Sequence, residues 1–119
     1  MTKKILVVDD DPGTLKLVGV LLKSKGFDVL LAEDGLEAML KIQNEGPDLV
    51  VLDVMLPEIN GYDICFQLRF NKDYEKIPIL LLTKREQEIN EMIGQRVNIE
   101  YMAKPIDREL FFEKIHQLL

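Results

Sequence analysis

Four apolar runs of this chain each end in a side chain that can bind a cation or a phosphoryl group. Asp9 and Asp10 follow the first run, Asp53 follows the second, Thr83 the third and Lys104 the fourth. If the runs are parallel strands, their carboxyl ends lie on one edge of a sheet, where open α/β folds place their sites. Three carboxylates, a hydroxyl and an ammonium group would then meet in one pocket.

Such a pocket suits a divalent metal and a phosphoryl group. Clustered carboxylates repel one another, and a cation removes that repulsion. Oxygen ligands select a hard ion, and few protein ligands with open positions favour Mg²⁺ over Ca²⁺. Lys104 can then act as a point charge on the phosphoryl group, and the Thr83 hydroxyl can donate to another of its oxygens. Asp53, at the end of a central run, is the best candidate nucleophile.

The elements that must position these residues alternate between extended and helical. Strands are predicted at about 3–8, 27–31, 49–52, 77–82 and 99–102, and helices at about 12–25, 35–44, 62–71, 86–95 and 107–119. Asp11 and Pro12 are typical of a helix start, Gly26 of a helix end, and Asp107 of a further N-cap. Five βα units with short connections predict a parallel sheet with helices on both faces.

The predicted fold class is therefore α/β, with a doubly wound five-stranded parallel sheet. Periodicity does not give the strand order, but 2-1-3-4-5, a flavodoxin-like (βα)5 arrangement, is a common solution. That order places Asp9, Asp10 and Asp53 side by side. The length of 119 residues predicts one domain spanning 1–119.

Composition excludes several classes of function. The formal net charge of -6 argues against direct nucleic-acid binding by this domain. No apolar run approaches the ~20 residues that span a bilayer, so we expect a cytoplasmic domain without membrane contact. Cys65 is the only cysteine, which leaves no internal disulfide, and His116 is the only histidine, which rules out a multi-histidine metal site.

At this point the sequence resembles a response-regulator receiver domain of two-component signalling, over its whole length. The matching segments are ILVVDDDP at 5–12, PDLVVLDVMLP at 47–57, Asn60-Gly61, ILLLT at 79–83 and Lys104-Pro105. Together these motifs are highly specific.

The resemblance implies roles for the pocket residues. Asp53 would accept a phosphoryl group from a sensor histidine kinase or a phosphotransfer protein. Asp10 would ligate Mg²⁺ directly and Asp9 mainly through water, with the Met55 backbone carbonyl as a further ligand. The domain would catalyse only its own phosphorylation and dephosphorylation, without turnover of a metabolite.

It also implies how the signal would leave the pocket. Thr83 and Lys104 would hold the phosphoryl oxygens, and Tyr101 would be the switch aromatic that turns inward when Thr83 moves. The peptide bond between Lys104 and Pro105 is expected to be cis. A homodimer would form through the fourth helix, the fifth strand and the fifth helix.

Three helix surfaces carry further predictions. The first helix has two apolar stripes, which are Leu15, Val18 and Leu22 on one side and Leu17, Val20 and Leu21 on the other. A helix apolar all round is either buried on both sides or docks a kinase or phosphotransfer helix on one of them. The second helix groups Leu36, Met39 and Leu40 on one side, and the last helix has Phe112 and Leu119 on a flank outside its core stripe, Phe111, Ile115 and Leu118.

Two alternative functions remain open. Lys84 stands where this family usually has Ala or Gly. The segment 96–100 before Tyr101 lacks the usual Gly-Ala, and the interval from Thr83 to Lys104 looks one residue short. The chain could therefore be a receiver-like interaction module that works without phosphorylation. An aspartate-nucleophile phosphohydrolase is the third reading, but its general-acid Asp would fall at Met55.

Overall fold

The computed structural model describes residues 2–56, 61–83 and 99–119. Its strands are β1 Lys4–Val8, β2 Asp28–Ala32, β3 Leu49–Asp53, β4 Ile79–Thr83 and β5 Ile99–Ala103. Its helices are α1 Pro12–Ser24, α2 Gly35–Glu45, α3 Gly61–Arg69 and a C-terminal helix, Arg108–Leu118. The helix predicted at 86–95 and the unusual Lys84 lie outside the described residues.

The strands form one parallel sheet in the order β2-β1-β3-β4-β5, as predicted. β1 pairs with β2 on one side and with β3 on the other, so Val7 stands opposite both Leu31 and Val51. The chain moves outward from β1 in one direction and later in the other, which makes the gap between β1 and β3 the switch point of the fold.

Apolar runs form these strands because both faces of the sheet are covered. Side chains alternate along each strand, and β3 shows the consequence. Val50 and Leu52 belong to a core cluster with residues of α2 and α3. Leu49 and Val51 belong to a second cluster with residues of α1 and the C-terminal helix. Every side chain of β3 and β4 is buried, so the central strand ends are held from both sides.

Aspartates begin three of the helices. The Asp11 carboxylate accepts from the Gly13 N–H, with Pro12 at the first helical position as predicted. Asp34 caps α2, and Asp107 caps the C-terminal helix by accepting from the Leu110 N–H at 3.2 Å. Each of these carboxylates satisfies an N–H that has no partner within the helix.

The buried side of α2 differs from the side that holds most of its large apolar residues. Ala38 and Ile42 are buried, whereas Leu36 is 65% and Leu40 50% exposed. Met39 packs against the core only in part. A small side chain at Ala38 allows α2 to lie close to the sheet, and the spacing from Ala38 to Ile42 fixes which side faces inward.

The structure excludes one of the two interpretations of α1 and corrects the predicted flank of the last helix. α1 buries Leu15, Val18 and Leu22 but leaves Leu17 and Val20 more than half exposed, so it is not buried on two sides. Phe112 is not on an exposed flank, because it is 8% exposed and packs against Phe111, with ring centroids 5.5 Å apart.

No helix in the described ranges is both long and apolar enough to cross a membrane.

Candidate functional site

The carboxyl ends of β1, β3, β4 and β5 bring the predicted residues to one edge of the sheet. Asp9 follows β1, Asp53 and Thr83 are the last residues of β3 and β4, and Lys104 follows β5. The ladder continues past the strands at this edge, because the Val54 N–H donates to the Leu82 carbonyl at 3.0 Å and the Lys104 N–H to the Thr83 carbonyl at 2.8 Å. Backbone hydrogen bonds therefore fix where each functional side chain begins.

Three carboxylates share this edge. One oxygen from each of Asp9, Asp10 and Asp53 lies within 4.8 Å of the other two. Asp9 and Asp53 are buried, while Asp10 is exposed and leaves the group open to solvent on one side. An all-oxygen, anionic donor set with an open side fits a hard divalent cation that keeps several waters, which describes Mg²⁺.

Lys104 neutralises part of this negative charge. Its Nζ lies 2.9 Å from Asp9 Oδ2 and 3.4 Å from Asp53 Oδ2. Burial lowers the pKa of Lys104, but its hydrogen bond to Asp9 and the charges of Asp53 and Asp9 outweigh that effect, so the pKa lies above its ordinary value. The ammonium group is therefore charged across the physiological range and bridges two of the three acids.

The Asp53 carboxylate contacts the Met55 backbone N–H as well as the Lys104 ammonium group. The Met55 N–H donates to Asp53 Oδ1 at 3.2 Å, which leaves Oδ2 toward Lys104. Burial raises the pKa of the Asp53 carboxyl and the charge of Asp9 adds to the rise, while the hydrogen bond from Met55 and the charge of Lys104 oppose it. The side chain of Met55 itself is 68% exposed.

Hydrogen bonds in the turn after β1 fix the position of Asp9. The Asp9 N–H donates to the Ala32 carbonyl at 3.1 Å, and Asp9 Oδ1 accepts from the Asp11 N–H at 2.9 Å. Asp11 is then committed to the start of α1, where the hydroxyl of Thr14 donates to it at 2.8 Å. That hydrogen bond is the main cause of a lowered pKa at Asp11. The Asp11 carboxylate thus caps α1, whereas those of Asp9 and Asp10 belong to the pocket.

The two predicted switch residues differ in exposure. Thr83 is 2% exposed, whereas Tyr101 is 40% exposed on the outer part of β5. Lys114 Nζ of the C-terminal helix lies 5.9 Å from the centre of the Tyr101 ring and 3.5 Å from a carboxylate oxygen of Glu100. Tyr101 thus stands outward under a cation. The Lys104–Pro105 peptide bond is cis.

Sequence reasoning missed one residue beside the site. Gly61, the first residue of α3, lies against the backbone of Asp53 and Val54. In the sequence it reads as turn chemistry and as part of a family motif, because glycine after asparagine is common in turns. Nothing in one sequence says which distant backbone a glycine approaches.

Comparison with known proteins identifies the family of this chain. The family model of the response regulator receiver domain matches residues 5–116. The chain is 45% identical over 106 residues to the alkaline phosphatase synthesis transcriptional regulatory protein PhoP of Bacillus subtilis, which covers 88% of this chain and 43% of that protein. It is 32% identical to protein PilH of Pseudomonas aeruginosa, over 98% of this chain and 97% of PilH. The chain thus spans less than half of the first relative and nearly all of the second.

Solved structures share the fold as well as part of the sequence. The chemotaxis protein CheY4 of Vibrio cholerae superposes with a TM-score of 0.91 at 28% identity, over 100% of both chains. A CheY-like response regulator receiver domain protein from Methanospirillum hungatei gives a TM-score of 0.88 at 26% identity, over 98% of this chain and 93% of that one. Sequence and fold therefore agree, and this chain belongs to the response regulator receiver domain family of two-component signalling.

Proposed function

We propose that this domain accepts a phosphoryl group on Asp53 and that the modification changes a partner-binding surface. The donor would be a phosphohistidine on a sensor histidine kinase or a phosphotransfer protein. The observation that carries the proposal is the placement of Asp53 Oδ2 3.4 Å from Lys104 Nζ, within a cluster of three carboxylates at the carboxyl edge of the sheet. A reactive carboxylate, a fixed cation and an acidic metal-binding group are the parts that phosphoryl transfer needs.

The chain's own residues divide the chemistry between them. A carboxylate oxygen of Asp53 attacks phosphorus in line with the donor nitrogen. The new P–O bond forms as the P–N bond breaks, and the electron pair of that bond stays on the leaving imidazole. The Lys104 ammonium group, now paired with the carboxylates, would bind a phosphoryl oxygen once the group is transferred. The Thr83 hydroxyl would donate a hydrogen bond to another phosphoryl oxygen.

A bound Mg²⁺ would neutralise the charge that the phosphoryl group brings to an already anionic site. Asp10 is the proposed direct ligand, Asp9 a ligand mainly through water, and the Asp53 carboxylate and the Met55 carbonyl complete the protein's share. Because Asp10 is exposed and Asp9 is tied to Lys104, the cluster offers its most accessible oxygens on the Asp10 side.

Receiver domains of response regulators interact with histidine kinases, and two surfaces support partner binding here. Leu17 and Val20 are exposed on α1 and fit docking of a kinase or phosphotransfer helix. The proposed homodimer surface has three apolar side chains that are each about two-fifths exposed: Tyr101 on β5, Leu110 on the C-terminal helix and Leu119 directly after it. The fourth helix of that surface lies outside the described residues. The proposed phosphoryl donors fit a cytoplasmic location for the domain.

Mass spectrometry after incubation with a small phosphodonor and Mg²⁺ tests the proposal. We expect the wild-type chain to gain the mass of one phosphoryl group, and the gain to disappear in Asp53→Asn and on chelation of the metal. Asp28→Asn is the matched control, because Asp28 is an exposed aspartate at the start of β2, at the opposite end of the strands from the pocket.

Absence of any mass gain in a folded wild-type chain would reject phosphorylation and leave the interaction module as the better reading. A gain that survives in Asp53→Asn would place the phosphoryl group on another residue. Release of phosphate from a phosphomonoester with many turnovers would instead support the phosphohydrolase reading.

A further inference from the structure

Gly61 lies closer to the phosphoacceptor strand than a residue with a side chain could. A Cβ built at Gly61 would be 2.4 Å from the Asp53 carbonyl oxygen, 2.8 Å from Val54 Cα and 3.0 Å from the Asp53 carbonyl carbon. Real Cβ atoms essentially never come within 3.0 Å of such atoms, and all three belong to the backbone, which cannot rotate away as a side chain does. The Gly61 N–H also donates to the Val54 carbonyl at 2.8 Å.

We propose that Gly61 is a positioning residue for Asp53, because its missing side chain lets the first turn of α3 rest against the Asp53–Val54 backbone. This inference rests on the proposed role of Asp53. It adds the element that fixes the position of the Asp53 carboxylate in the pocket. Gly61 lies against the backbone of Asp53 and Val54, and acts on the Asp53 carboxylate only through this strand end.

The opposite side of the same backbone is held as firmly. The Val54 N–H donates to the Leu82 carbonyl at 3.0 Å, and β4 is buried along its whole length. The strand end after Asp53 is therefore clamped between β4 and the start of α3. Since the Met55 N–H holds Asp53 Oδ1, a displacement of this segment carries the carboxylate with it.

A methyl group at position 61 has to open this clamp by several tenths of an ångström. If β3 yields, Asp53 Oδ2 leaves its place 3.4 Å from Lys104 and changes its distance to Asp9 and Asp10. Displacements near 1 Å of a reacting group are enough to slow a reaction by roughly a hundredfold. If α3 yields instead, Asp53 stays in place and the inference is wrong.

Gly61→Ala and Gly19→Ala form a matched pair for the test. Both glycines are buried in helices, but a Cβ at Gly19 would meet its nearest atom, on the Leu31 side chain, at an ordinary 3.7 Å. Three properties are measured on each folded variant: backbone amide NMR shifts of Val54 and Met55, the dissociation constant of Mg²⁺, and the rate of phosphorylation by a small phosphodonor at saturating Mg²⁺.

For Gly61→Ala we expect displaced Val54 and Met55 amide resonances, and ~tenfold or greater loss in Mg²⁺ affinity or phosphorylation rate per folded molecule. Gly19→Ala should stay within ~twofold of wild type in both, because its methyl group touches only side-chain atoms. Urea unfolding of both variants separates a loss of folded protein from a change in the folded site.

Lower stability of Gly61→Ala together with wild-type amide shifts, Mg²⁺ affinity and rate would overturn the inference. If the variant is unfolded in buffer, the same measurements are made in trimethylamine oxide, which favours the compact state. Failure to fold there as well would assign Gly61 to folding and reject a specific effect on Asp53. A wild-type chain that is never phosphorylated rejects the proposed function, but the amide shifts and Mg²⁺ affinity still test the clamp.

Discussion

At the scale of single residues, the described part of the pocket gathers three carboxylates around one lysine. Three carboxylates meet at the strand ends, and among the described residues Lys104 is shared by Asp9 and Asp53. Burial is the main cause of the raised pKa of Asp53, because a buried carboxylate is easier to protonate than one in water, and the charge of Asp9 adds to the rise. Such a site is poised to take up a cation or to be neutralised by substitution.

Asp53→Asn should therefore stabilise the fold near neutral pH. The pKa of Asp53 in the folded state lies above its unfolded value of 3.8. The contribution of Asp53 to the free energy of unfolding is therefore fully present below pH 3.8, and it is lost as pH rises through the folded-state pKa. Asparagine lacks this loss, so its advantage over wild type should be largest near neutral pH and should shrink as pH falls toward 3.8. Urea unfolding in metal-free buffer across this range measures the difference.

The exposed Asp28→Asn change removes the same charge far from the pocket and should show no comparable pH-dependent gain. A wild-type chain at least as stable as Asp53→Asn at neutral pH would contradict the electrostatic account.

The cation above Tyr101 gives a second prediction at this scale. Lys114 lies 5.9 Å from the ring centre and pairs with Glu100, so it favours the outward ring. A cation–π contact at an exposed site is worth about 0.5–1 kcal/mol, so Lys114→Met should raise the inward population ~two- to fivefold. With 3-fluorotyrosine incorporated, the ¹⁹F resonance of Tyr101 should shift toward its position in the phosphorylated protein.

Lys41→Met is the matched control, because Lys41 forms an ion pair with Glu37 at 3.2 Å on α2, away from β5. An unchanged Tyr101 resonance in Lys114→Met would show that the cation does not hold the ring outward.

At the scale of elements, helix starts hold the loops of the pocket edge in fixed conformations. Asp34 begins α2 after β2, at the same edge of the sheet as the acids, and its Oδ1 accepts from the Glu37 N–H at 2.8 Å. The cap therefore stabilises both a helix and the loop that joins it to an edge strand.

Asp34→Ala should lower the free energy of unfolding by about 1 kcal/mol, because the Glu37 N–H loses its acceptor. Glu33→Ala, a change at the exposed neighbouring position, should alter it by less than ~0.5 kcal/mol. Chemical denaturation of the two variants gives both values. Equal effects at the two positions would rule out the cap as the cause.

Elements and caps were predictable where the signal is local. Asp11, Pro12 and Asp107 carry their meaning in their immediate neighbours, and the structure places all three at helix starts as predicted. The inward side of α2 was not predictable in this way. Its sheet-facing side is set by how closely Ala38 lets the helix approach, and that depends on residues distant in sequence.

The site shows the same division. Compatible side chains stand at the ends of four of the five strands, and parallel pairing brings Asp9, Asp53 and Lys104 together, so the pocket could be predicted from one sequence. The close approach of Gly61 to Asp53 was not, since it depends on how α3 packs after the turn. The outward place of Tyr101 under Lys114 likewise depends on the packing of the last helix.

At the scale of the whole molecule, the position of the pocket depends on the packing of the hydrophobic core. Two hydrophobic clusters, one on each face of the sheet, hold the strands whose ends carry the acids. Ligand binding at that edge is therefore linked to global unfolding, because the unfolded chain does not bring the acids together.

Mg²⁺ should stabilise the whole domain. At a concentration ~100-fold above its dissociation constant it should add about 2.7 kcal/mol to the free energy of unfolding. Asp10→Asn removes the proposed direct ligand and should lose most of this gain. Thermal unfolding with and without Mg²⁺, at matched ionic strength, measures both. Equal stabilisation of wild type and Asp10→Asn would argue against this metal site.

The ion pair between Lys104 and Asp9 joins residues 95 positions apart. During synthesis the ribosome releases Asp9, Asp10 and Asp53 well before β5 and Lys104, so a growing chain carries its acids without the lysine that bridges them. The candidate site is completed only when β5 takes its place at the edge of the sheet. The proposed phosphorylation of Asp53 therefore requires the finished fold, and we do not expect a kinase to phosphorylate a chain that lacks β5.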